Sequence, residues 1–87
     1  MLEELVGQEI VVDLNSPYVC LGTLVRFDDH FLELRNVDMH DLRDTDTSRE
    51  NYVAASERTG IKRNRKKVVL FRSDVVAVSR LADVSDV

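Results

Sequence analysis

Three runs of alternating apolar and polar residues, Gln8 to Leu14, Tyr18 to Phe27 and Phe31 to Val37, have only Asn15-Ser16-Pro17 and Asp28-Asp29-His30 between them. A period of two sends successive side chains to opposite faces and reads as strand. Gaps this short, rich in residues that favour turns, fold each run back on the one before it. In the first run Ile10, Val12 and Leu14 share a face. Late in the second, Leu24 and Arg26 fall on one face and Val25 and Phe27 on the other. Gly22, in the middle of this long strand, predicts a bend that lets one strand serve two sides of a barrel. Val68 to Phe71 and Val75 to Val78 are β-branched, apolar on both faces and separated only by Arg72, Ser73 and Asp74, which predicts a buried hairpin.

Two further elements flank or interrupt these strands. Leu2, Leu5 and Val6 stand at helical spacing, with Glu3 and Glu4 in the first turn and Gly7 as a stop, predicting a short N-terminal helix. Residues 39–64 form an inserted segment between the third and fourth strands, long enough to require structure of its own. Within it Thr47-Ser-Arg-Glu50 fits a capping box and Gly60 a C-terminal cap, so a helix is predicted from Ser48 to Arg58. Its apolar residues, chiefly Tyr52, Val53, Ala54 and Ala55, predict a helix lying on a surface or against a neighbouring subunit.

The chain of 87 residues is read as one domain, residues 1–87, of a size that gains from association. One cysteine, Cys20, leaves no partner for an intrachain disulfide, and no leader or long apolar run is seen, so the expected setting is a reducing cytoplasm with no membrane span. The net charge of −4 argues against indiscriminate coating of nucleic acid, yet the charges are sorted. From Arg58 to Ser73 every charged residue is basic. Asp38, Asp41, Asp44, Asp46 and Glu50 make the preceding segment mostly acidic. No metal is expected, since Arg49 stands where a calcium loop starting at Asp44 needs glycine. No cofactor is expected either. No nucleophile sits in a recognisable motif, and three glycines form no phosphate loop, so the reading is a binding module and not an enzyme.

Taken in order, these elements and certain residues at fixed offsets resemble the Sm and Sm-like superfamily. Its first motif places a glycine in a bent second strand, an apolar residue two later, Asp six later and a large apolar residue nine later; here these are Gly22, Leu24, Asp28 and Phe31. Its second motif joins two short apolar strands through Arg-Gly. The corresponding stretch runs from Val69 to Val78, with Arg72 matching and Ser73 in place of the glycine. The resemblance implies a mainly β fold: a small, strongly bent five-stranded antiparallel barrel of the SH3-like type. It further implies a homo-oligomeric ring through strands 4 and 5, binding short single-stranded RNA at its pore.

The site residues implied by the resemblance are His30, Arg72, Asp28 and Phe31. His30 and Arg72 offer a base a flat imidazole and a guanidinium, whereas Asp28 reads first as a structural residue whose carboxylate accepts N–H bonds of the turn. Leu32 occupies the position of a base-selecting Asn, and an aliphatic side chain makes no selective hydrogen bonds, so low base specificity follows. A possible basic surface comprises Lys62, Arg63, Arg65, Lys66 and Lys67, whose alternative role is to discourage edge pairing. The alternative function is a non-enzymatic oligomeric scaffold that binds proteins through the inserted helix, with no RNA role.

Overall fold

The structure, a computed structural model, describes residues 1–84. Strands β1 (Glu9–Leu14), β2 (Tyr18–Phe27), β3 (Phe31–Asp41), β4 (Arg65–Phe71) and β5 (Val75–Arg80) form one sheet in the order β4-β3-β2-β1-β5. Each strand runs antiparallel to its neighbours. The first and last strands of that order, β4 and β5, are joined only by a 3-10 turn, Arg72–Asp74. So short a link between opposite ends of a sheet forces the sheet to curl, which gives the bent barrel expected from the sequence.

Two bulges produce much of the bend. Between the pairs Leu21↔Asp38 and Thr23↔Arg35, β2 supplies Gly22 alone and β3 supplies both Asn36 and Val37. Asn36 takes the extra turn at φ 53°, a region that Asn tolerates better than most residues. Gly22 is required by proximity: a Cβ there would lie 3.0 Å from the Arg35 carbonyl oxygen and 3.0 Å from Val37 Cγ2. The second bulge falls at Val25, between Leu24↔Leu34 and Arg26↔Glu33. It breaks the simple alternation expected there, so that Leu24 and Phe27 both join the inner core.

The inner core contains Ile10, Val12, Leu14, Cys20, Leu24, Leu32, Leu34, Val37 and Leu70. A second core lies outside the barrel, where Val11, Val19 and Leu21 pack with Val53 of helix α1 (Arg49–Thr59) and with Leu81. Strands β1 and β2 are therefore covered on both faces, which is why their apolar runs are nearly continuous around Val11 and from Val19 to Leu21.

Several expectations are corrected. The expected short N-terminal helix is present, as one 3-10 turn, Leu2–Leu5, whose leucines pack on the inner core. Gly7, at φ 84°, then swings the chain into β1. β3 continues past Val37 to Asp41, because Asp38 to Asp41 pair with Leu21 back to Tyr18, so the insertion begins only at Leu42. α1 is capped by Ser48, whose hydroxyl accepts from Asn51 N at 3.2 Å, while Thr47 N donates to Thr45 Oγ1; the Thr47–Glu50 capping box is displaced by one residue. Gly60 closes the helix as expected, its N–H donating to the Ser56 carbonyl. Finally, β4 and β5 are not a buried hairpin. They are the two free edges, with Val69 49 %, Phe71 59 % and Val76 70 % exposed.

Candidate nucleic-acid interface

The β2–β3 turn is built by Asp28. Its Oδ1 accepts from His30 N and Phe31 N, each at 2.8 Å, and its own N–H donates to the Phe31 carbonyl at 3.0 Å. The two N–H groups, that of His30 foremost, hold the Asp28 carboxyl below its ordinary value. A carboxylate bonded in this way fixes the turn, and Asp29 and His30 are left exposed at its tip. Phe31 turns toward β4, where its ring meets Phe71 with centroids 5.4 Å apart; the His30 ring stands edge-on to Phe31 at 6.3 Å.

The β4–β5 turn is stitched to this one. Arg72 N donates to the His30 carbonyl at 2.8 Å, and Arg72 Nη1 donates to the Asp28 carbonyl at 2.6 Å. Residues 42 positions apart in the chain are thereby held on one rim, with the imidazole and the guanidinium both exposed. Two hydrogen bonds fix the arginine, yet the rest of its planar fork remains available to a ligand. Ser73 needs no glycine-like backbone: it lies in the 3-10 turn, and Asn36 is the only non-glycine residue at positive φ among those described. Leu32 is 1 % exposed and belongs to the inner core, so it contributes nothing to the rim.

The basic residues lie elsewhere. Arg65, Lys66 and Lys67 begin β4, and together with Arg63 and Arg35 they line an open groove beside the Asn36 bulge; Lys62 is exposed but does not line it.

A polar cluster that the sequence did not reveal lies beneath α1. Tyr52 OH donates to the Asp38 carboxylate, and the Tyr52 ring stacks on His40 at 3.8 Å and 10°. Burial first, and then Asp38, push the Tyr52 hydroxyl pKa up. Asn64 closes the cluster, its Nδ2 donating to Asp38 Oδ1 at 3.4 Å and to the Met39 carbonyl at 3.1 Å, and its Oδ1 accepting from Met39 N. Asp41 is held by Arg43, whose side chain bonds both of its oxygens and brings its pKa down to about 2. These carboxylates serve the insertion. The periodicity of β3 past Val37 is the signal that could have placed Asp38 and His40 against the helix.

No helix among the described residues is long and apolar enough to cross a membrane. No protein-family model and no curated protein matches the chain. Among solved structures it is similar to an Sm-like protein of Archaeoglobus fulgidus, AF-Sm2, with 21 % identity, a TM-score of 0.61, and coverage of 92 % of this chain and 88 % of that one. The strand order, the bent β2 and the helix inserted between β3 and β4 agree with that likeness. What the two share is architecture, and this chain has the Sm-like fold.

Proposed function

We propose that the protein is a non-enzymatic, ring-forming module that binds short single-stranded RNA at the ring's inner rim, with low base specificity, in the cytoplasm. The observation that carries this reading is the double stitch of Arg72 to the backbone of Asp28 and His30, which joins two turns bearing an exposed imidazole and an exposed guanidinium. Aromatic and guanidinium faces stack on any base, and the absence of an amide at Leu32 leaves little to tell uridine from adenosine. Ring formation is supported by the two unpaired edges. β4 of one protomer would pair with β5 of the next, covering Val69, Phe71 and Val76 in a head-to-tail contact that closes by rotation. The buried thiol of Cys20 is compatible with a reducing compartment. Scaffolding through α1 has less support, since Val53 and Ala54 are already covered by the barrel.

Fluorescence anisotropy with labelled uridine and adenosine hexamers at low salt tests the reading. Both oligomers should bind with similar affinity, and His30→Ala and Arg72→Ala should each cost about 1 to 3 kcal/mol per stacked base without changing the oligomer. Rings that bind neither hexamer, or variants that bind both unaltered, would refute the rim site.

A further inference from the structure

The edge strand that ends in Val69 and Phe71 begins with a different surface. Arg35, Arg63, Arg65, Lys66 and Lys67 surround one open groove, in a chain whose net charge is −4. Among the described residues only Lys67 of the five has an ion pair, with Glu33 at 3.6 Å. Arg63 Nη1 instead donates to Asn36 Oδ1 at 2.8 Å, tethered to the bulge residue at φ 53°. Across the strands Arg35 stands directly opposite Lys67. Like charges in that position destabilise a sheet. Protection of an exposed edge accounts for the cations of β4, but neither for Arg35 on the next strand in nor for the tether of Arg63.

An anionic ligand relieves this repulsion, and the groove's chemistry narrows its class. No aromatic or aliphatic side chain lines it. A protein partner generally needs an apolar anchor, and a base needs a stacking face. What the groove offers is guanidinium forks suited to phosphate, with Arg65 and Lys67 spaced roughly 6.6 Å apart along one strand. We propose that this groove is a second RNA-binding surface that holds the phosphate backbone of a strand, independently of its sequence, while the rim holds bases. The proposal rests on RNA as the ligand of the ring, but not on the rim residues.

The test uses anisotropy over a salt titration with the intact protein, comparing a uridine hexamer with a strand several times longer. The triple variant R35Q/R65Q/K66Q should bind the hexamer as the wild type does. It should lose on the order of tenfold in affinity for the longer strand, and its slope of log K against log salt should fall by about 2, at roughly 0.7 for each phosphate no longer neutralised. The charge-conserving variant R35K/R65K, with Lys66 retained, should keep the wild-type slope, and unchanged circular dichroism and native mass show that the exposed substitutions leave the fold intact. Unaltered affinity and slope for the longer strand overturn the groove, as does displacement of that strand by polyglutamate as effective as by unlabelled RNA. The rim variants H30A and R72A separate the two readings: if they leave hexamer binding intact, the rim fails while the groove stands on the longer strand's slope. If RNA of neither length binds, both readings fall.

Discussion

Gly22 shows how one residue can be necessary for reasons of space. The sequence marks it as a bend, and the structure gives the cause: β3 crosses so closely that a methyl group would meet the Arg35 carbonyl and the Val37 side chain, both at 3.0 Å. Gly22→Ala should therefore destabilise the barrel by about 1 to 3 kcal/mol, the range for overpacking a tight core, as read from urea unfolding. Cys20, fully buried in the same strand, has its thiol pushed up to about 12, mainly by burial and then by Asp38. Its pKa is higher folded than unfolded, so its contribution to stability is complete below about pH 8.5 and is lost as pH rises toward 12. Cys20→Ser should flatten the fall in stability between those limits, and the wild-type thiol should react with a thiol reagent only on unfolding. The two tight turns that carry Asp28, His30 and Arg72 were legible in the sequence, each a short polar stretch set between apolar runs. Their backbone stitching was not, since it joins main-chain atoms that no pattern of side chains encodes.

At the level of elements, the insertion was legible as a helix but not in its attachments. The Thr47–Glu50 capping pattern and Gly60 placed α1 within one residue of its observed bounds, while the choice between Thr47 and Ser48 as cap depended on backbone geometry that both residues permit. Ser48→Ala should cost about 1 kcal/mol and Thr47→Ala much less, measurable by thermal melting. The strength of the docking shows in Tyr52. Tyr52→Phe keeps the stack on His40 but removes the donor from the Asp38 carboxylate, which is 2 % exposed, and should destabilise the fold by about 1 to 3 kcal/mol or more. Equal stability of Tyr52→Phe and wild type would show that this hydrogen bond is not formed in solution. The expected buried hairpin failed for a physical reason. A run that is apolar on both faces looks the same whether its own chain covers it or a second chain does, and in β4 and β5 only Leu70 is buried.

For the whole molecule, the two free edges are the unfinished part of the fold. β4 is blunted by charge over Arg65 to Lys67, as edge strands in soluble proteins usually are, but its second half presents Val69 and Phe71 beside unpaired backbone groups, and β5 presents Val76. A chain of this size buries a modest share of its surface alone, so covering these edges adds stability where it is scarce. Under the ring proposal, head-to-tail pairing would also gather the His30–Arg72 turns of all protomers around one axis and turn a single stacking position into a row of them. The central claim is thus the closed ring, and native mass spectrometry at micromolar concentration tests it most directly. A closed ring gives one dominant species whose mass is a whole-number multiple, greater than two, of the 10.0 kDa chain. A folded species at 10.0 kDa that persists across the concentration range would contradict it.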